Sequence, residues 1–385
     1  MKWNKIYRKI NGLKDVVSLS IANIVATGIG GFFWFYVATL VGEESYGEIS
    51  YYLSIAAIGS GIAMLGASNT LVVYAAKGEK ILPIMSLITL SLSSISAIII
   101  YFIFNNLGSA LHVFTYVIFG LITAEFLGRK FYRLYSKYII LQKIMMVILS
   151  LVFFYFIGFN GIIIGIALSF LIIIRPMINE LKNSSFNLKI LNSKKNFILN
   201  NYVLELSRMF GNSMDKIIIV PIFGFAILGN YQLGIQFYMI FLIIPSVIYQ
   251  YILPQDAIGN PNLLLKKIVV ICSIVISLVS ALLSPIIVTQ IFPEFQEAVK
   301  IIQIMSIAVI PGTINYIYIS KFLGNLKGKI VLIGSGIFLV TIILGIVILG
   351  ELLYSEGLAI SFVIAKSAES LYLFSANLKN RNKVK

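Results

Sequence analysis

LVGEESYGEISYY, residues 40–52, returns without a gap as IFGFAILGNYQLG, residues 222–234. Gly42 aligns with Gly224 and Gly47 with Gly229. Glu43, Glu44 and Glu48 of the first copy become Phe225, Ala226 and Asn230 in the second. The repeat keeps its glycines and discards its charge. Glycine is the residue that permits tight turns and close backbone approach. The stretch therefore reads as a turn whose backbone matters and whose acids are topological and solvating. Long apolar runs lie on both sides of each copy, so each copy is the tip of a hairpin between two such runs.

The rest of the chain explains those runs. Of 385 residues, 59% are hydrophobic and only 12% are charged, with a mean hydropathy of +0.96. A soluble domain is nearer a quarter charged. Apolar windows of about 20 residues span a bilayer, and twelve are present: 16–41, 49–74, 81–104, 108–127, 138–157, 161–178, 197–223, 230–253, 268–291, 298–321, 330–349 and 356–375. The basic start, MKWNKIYRKINGLK, resembles a secretion signal, but the run after it is too long and lacks a small-residue cleavage site. It reads as a retained first helix.

Charge orders the spans. The N-terminus carries Lys2, Lys5, Arg8, Lys9 and Lys14, and the tail carries Lys379, Arg381, Lys383 and Lys385. Between them every second connection is basic: Lys77 and Lys80; Arg129, Lys130, Arg133 and Lys137; Lys182, Lys189, Lys194 and Lys195; Lys266 and Lys267; Lys327 and Lys329. The alternate connections lack Lys and Arg, and they hold Glu43, Glu44, Glu48, Glu294, Glu297, Glu351 and Glu356. Basic residues near helix ends mark the cytoplasmic side. Both termini are thus expected in the cytoplasm of a cell membrane. The net charge of +15 belongs against anionic lipid headgroups rather than nucleic acid.

Six spans return the chain to its starting side. Two six-span halves then share one orientation, a design common in transporters, with the substrate site between repeats. The halves also end alike, GFNGIIIGIAL (158–168) against YSEGLAISFVI (354–364). The expected fold is an all-α membrane protein of two six-helix lobes, 1–180 and 197–385, joined by a cytoplasmic linker, 181–196. Four segments carry a family resemblance: VATLVGEESYGEISYYLSIAAI (37–58), LGASNTLVVYAAKGE (65–79), NSMDKIIIVPIFGFAILGNYQLGIQFY (212–238) and IFPEFQEAVKIIQIMSIAVIPG (291–312). In order and spacing the chain resembles the polysaccharide-export and lipid-linked oligosaccharide flippases of the multidrug/oligosaccharidyl-lipid/polysaccharide (MOP) superfamily. The resemblance covers nearly the whole chain, which lacks the two extra C-terminal helices of some lipid II flippases. It implies two lobes around a cavity that opens alternately to either side, and a polyprenyl-(pyro)phosphate-linked glycan as substrate.

The seventh span carries the densest intramembrane polarity: Asn201, Glu205, Arg208, Asn212, Asp215 and Lys216. Steps of four and three residues place the first five on one helical face. Charge at the bilayer centre costs about 2.5–3.5 kcal/mol per residue on insertion scales and usually faces protein or water. Arg208 and Lys216 are candidates for a phosphate, arginine offering a bidentate contact. Glu205 or Asp215 is a candidate for a coupling H+ or Na+. The plainer alternative is a self-neutralising Glu205–Arg208 pair at i,i+3. Asn23 and Thr27 in the first span are lesser cavity candidates beside Gly30, Gly31 and Trp34, whose small residues also suit helix packing. Lys143 and Arg175 read as snorkelling anchors, Lys366 and Glu369 as a structural pair, and Pro285 and Pro311 as kinks.

No cofactor or metal is expected. One cysteine, Cys272, and one histidine, His112, leave no metal cluster or internal disulfide. The leading function is a flippase, working as a monomer beside glycan assembly enzymes. A cation-coupled multidrug exporter of the same superfamily is the second reading. A membrane glycan polymerase or acyltransferase is a poor third, because no sizeable outer loop carries reactive groups.

Overall fold

The computed structural model describes residues 2–182, 189–257, 262–325 and 327–382. Residues 183–188 of the expected linker, and Lys383 and Lys385 of the tail, lie outside them. The described chain is almost wholly helical. The elements are α1 (Lys2–Met64), α2 (Ala67–Ala76), α3 (Leu82–Phe104), α4 (Leu107–Gly128), α5 (Tyr132–Ile157), α6 (Phe159–Ser169) and α7 (Ile174–Lys182). After them come α8 (Lys189–Phe241), α9 (Ile243–Ala257), α10 (Leu263–Ile291), α11 (Ala298–Ile307), α12 (Val309–Gly324) and α13 (Gly328–Asn382).

Eight helices among the described residues are long and apolar enough to cross a membrane. The pair α11 and α12, bent by 41°, makes a ninth. Three of these bodies are double crossings. Non-helical backbone breaks α1 at Gly42, α8 at Gly224 and α13 at Tyr354. Counting each as two gives the twelve spans expected from hydropathy. The α11–α12 break falls at Ala308, where the ring of Pro311 meets the carbonyl four residues back, at Ile307. Pro285, by contrast, lies inside an unbroken α10.

Lipid explains the inverted surface. Phe32, Phe102, Tyr155, Phe156 and Leu282 are each more than 70% exposed. On α10, Ser273, Ser277, Ser280 and Ser284 are buried while Ile271, Val275, Leu278 and Leu282 face outward. The hydroxyls of Ser273, Ser280 and Ser284 turn back onto their own helix, as in Ser273 Oγ to Val270 O at 2.7 Å. A hydroxyl in hydrocarbon must find its partner within the protein.

Residues 1–33 and 52–209 pack as one compact unit, and 34–51 and 210–385 as another. In the first unit, Glu125 is buried and accepts from Arg129 Nε at 2.6 Å, which explains a carboxylate in the fourth span. In the second unit, Lys366 pairs with Glu369 at 3.3 Å and sits 3.8 Å above the Phe338 ring. Asn315 donates to Glu369 at 3.0 Å. That pair is structural, as the sequence implies.

The repeat is visible in the backbone. Gly42 has φ 72°, ψ 176° and Gly224 has φ 85°, ψ 178°, a region almost closed to other residues. Gly47 and Gly229 have a different duty, and the second unit contains both. A Cβ on Gly47 would lie 1.9 Å from the Phe225 carbonyl oxygen, and one on Gly229 would lie 1.9 Å from that of Glu43. Phe225 and Glu43 are themselves equivalent in the repeat. The two hairpin tips thus touch through a reciprocal pair of glycines. The later match behaves likewise. A Cβ on Gly161 would meet Phe153 O at 2.1 Å, and one on Gly357 would meet Leu349 O at 1.9 Å.

Of the hairpin acids, Glu43 is more than solvating. Glu43 Oε2 accepts from Asn230 Nδ2 at 2.5 Å, and Asn230 Oδ1 accepts from the Ala298 N–H at 2.9 Å. Asn230 is the repeat's counterpart of Glu48. Glu44 is exposed.

Candidate functional site

The polar face of the seventh span lies on α8, and the two packing units divide it. Asn201, Glu205 and Arg208 belong to the first unit, and Asn212, Asp215 and Lys216 to the second.

In the first unit, Gly66 at the start of α2 has φ 71°, and its bare Cα lets α8 pack against it. A Cβ there would stand 2.5 Å from the Tyr202 nitrogen and 2.8 Å from the Ile198 carbonyl oxygen. That approach sets Ser68 beside α8, where its hydroxyl donates to Glu205 Oε1 at 2.9 Å. Glu205 is 3% exposed and its Oε2 has no hydrogen-bond partner. Asn201, also buried, donates to Phe197 O at 3.0 Å. Arg208 is exposed. Among the described residues no carboxylate forms an ion pair with it within 4.0 Å, so the self-neutralising Glu205–Arg208 pair does not form as a close contact. Tyr116 on α4 lies within electrostatic reach of both Glu205 and Arg208. His112, one turn earlier, stacks on Tyr116 with ring centroids 5.7 Å apart and an interplanar angle of 11°. Lys143 on α5 lies within electrostatic reach of His112.

In the second unit the α8 charges are already matched. Asp215 Oδ1 accepts from the Lys216 backbone N–H at 2.9 Å and pairs with its ammonium at 3.3 Å. Asp215 Oδ2 accepts from the Tyr231 hydroxyl at 3.0 Å. Lys216 Nζ also donates to Asn212 O at 2.7 Å. Asn212 is exposed. Removing one member of so desolvated a pair leaves the other unpaired, typically costing about 3–5 kcal/mol.

On α1, Asn23 is half-buried and Thr27 exposed. Among the described residues no hydrogen bond ties either to the α8 set. No group of three or more metal-ligating side chains occurs among the described residues.

The arrangement can do two things. Arg208 offers a guanidinium without a close counter-ion to an anion, and Glu205 offers one unsatisfied buried oxygen to a proton or small cation. Sequence periodicity finds both groups. It misses Ser68 and Tyr116, because each meets the site through tertiary packing from another helix.

No protein-family model matches the chain, and no curated protein matches it in sequence. Solved structures do. One is the inward closed lipid II flippase MurJ, with a TM-score of 0.75 and 15% identity over 94% of this chain and 87% of that one. Another is an inward-facing multidrug resistance MATE family transporter of the MOP superfamily, with a TM-score of 0.70 and 14% identity over 95% of this chain and 98% of that one. A variant of the Vibrio cholerae MATE transporter VcmN gives 0.59 and 14% over 94% and 98%. Over nearly its whole length, the chain has the fold of these transporters.

Proposed function

We propose that the protein is a transporter rather than an enzyme. It moves a polyprenyl-(pyro)phosphate-linked oligosaccharide from the cytoplasmic to the outer leaflet by alternating access. The observation that carries this reading is Arg208, a guanidinium in the middle of a membrane span with no close carboxylate. A bidentate cation of that kind suits a phosphoryl group. Lys216, held by Asp215 and Asn212, is the weaker phosphate candidate.

In this reading residues 1–180 and 197–385 act as the two lobes, and 181–196 link them. Both termini lie in the cytoplasm of the cell membrane, and the protein works as a monomer beside glycan assembly enzymes. Glu205 carries a coupling H+ or Na+, since Asp215 already has partners on both oxygens.

A cation-coupled multidrug exporter is the second reading, favoured by the same buried Glu205 and by the likeness to MATE structures. Arg208→Ala separates the two. It lowers export of lipid-linked glycan more than tenfold, while folded protein in the membrane stays at the wild-type level. Normal glycan export by this variant excludes the phosphate role.

A further inference from the structure

The turn between α4 and α5 has a counterpart in the second half, and the pair isolates a patch of charge. FLGRKFYRLYSK, residues 126–137, aligns without a gap to FLGNLKGKIVLI, residues 322–333. α4 ends at Gly128 and α12 at Gly324, and the next helices start at Tyr132 and Gly328. The Phe131 N–H donates to Phe126 O at 2.8 Å, and the Lys327 N–H to Phe322 O at 2.8 Å. The same turn is therefore built twice. Leu326 and Ile333 occupy the sequence positions of Lys130 and Lys137, so the turn does not require those two lysines.

The cations are also unfavourable for the helix they open. α5 has no acid in its first turn and no side-chain cap at Phe131. Arg133 thus adds positive charge at the positive end of a helix dipole. The nearby acids are taken, since Glu125 and Glu180 both pair with Arg129, at 2.6 and 3.6 Å. Lys130, Arg133 and Lys137 are exposed. Among the described residues no carboxylate lies within 4.0 Å of any of them. Below them α5 turns an apolar stripe outward: Ile144, Ile148, Val152 and Tyr155 are exposed. At helical spacing these four share an arc of about 100° with Arg133 and Lys137. Lys137 and Tyr155 stand about 27 Å apart along the axis, close to the roughly 30 Å of a bilayer's hydrocarbon core. A soluble anion would use the cations alone. An amphiphile uses both the cations and the stripe.

We propose that the start of α5 is a binding site for an anionic phospholipid. Arg133 and Lys137 hold the head-group phosphate, Lys130 adds charge, and an acyl chain lies along Ile144 and Ile148. Arginine suits a phosphate bidentately, and basic clusters at a membrane surface attract acidic head groups. The site is separate from the α8 charges and does not depend on what the protein carries.

The test titrates the full chain in detergent with phosphatidylglycerol or phosphatidylcholine of the same acyl chains, and counts bound lipid by native mass spectrometry. Wild type binds phosphatidylglycerol about tenfold more tightly, the size expected from two cations. The double variant Arg133→Gln with Lys137→Gln lowers that preference below threefold. Arg133→Lys with Lys137→Arg keeps it, and so does Lys327→Gln with Lys329→Gln at the equivalent turn of the second half. Size-exclusion chromatography confirms that each variant is folded, and Lys137→Ile, which copies Ile333, replaces the double variant if that one is not. Millimolar glycerol phosphate does not displace the lipid. Four results overturn the proposal: no preference in wild type, which would leave the patch to an acidic protein; an unchanged preference in the α5 double variant; an equal loss in the second-half variant; or displacement by glycerol phosphate, which would make the site one for a soluble anion.

Discussion

Replacing Gly47 with alanine places a methyl carbon 1.9 Å from the Phe225 carbonyl oxygen and 2.8 Å from the Gly229 nitrogen. Ordinary contact begins at 3.4 Å. The two hairpin tips must then part by about 1.5 Å, because both neighbours are backbone and cannot rotate away. Overpacking of a side-chain core costs about 1–3 kcal/mol. A clash against two backbones belongs at or above the top of that range, so a destabilisation of about 3 kcal/mol is expected. Gly229→Ala meets the Glu43 carbonyl in the same way and loses a similar amount. The double variant loses clearly less than the sum, because one separation relieves both clashes. Gly336→Ala is the control: it lies inside α13 with nothing within 4 Å of its added methyl. It stabilises by about 0.5–1 kcal/mol through helix propensity. Denaturant unfolding in detergent reads all four variants. Trp34, 6.1 Å from Tyr46 in the same hairpin, supplies the fluorescence. A Gly47→Ala protein as stable as wild type, or a double variant with the full summed loss, would refute the reciprocal glycine contact.

Asn230→Ala removes the bonds to Glu43 and to the Ala298 N–H, and destabilises by about 1–3 kcal/mol in the same assay. Tyr354 sits at φ 50°, ψ −128°, where the matching residue of the first half is Gly158 at φ 72°, ψ −153°. Tyr354→Gly therefore stabilises by about 1 kcal/mol, since relief of strain exceeds the added chain entropy. A destabilised Tyr354→Gly protein would show that the tyrosine ring contributes more than its backbone costs.

Much of the fold is readable from one dimension. Spans of about 20 apolar residues and alternating basic connections are local properties, and they give twelve crossings directly. The matched glycines are equally local. What Gly47 and Gly229 do is not, because a carbonyl that blocks a methyl comes from a hairpin far away in the chain. The hairpin acids show the same limit. Glu43 looks like a solvated charge until Asn230 is brought beside it. At the site, helical spacing finds Glu205 and Arg208 on α8, but not that Ser68, 137 residues earlier, bonds to Glu205.

The central claim is that this chain carries a phosphate-linked glycan lipid across a bilayer. The most direct measurement is the leaflet location of that lipid in cells depleted of the protein and lacking a redundant transporter, read with a membrane-impermeant glycan label. Depletion is expected to trap lipid-linked glycan on the cytoplasmic leaflet, with outer-leaflet label falling at least tenfold and returning with wild type but not with Arg208→Ala. Unchanged outer-leaflet label in the depleted cells would contradict the account.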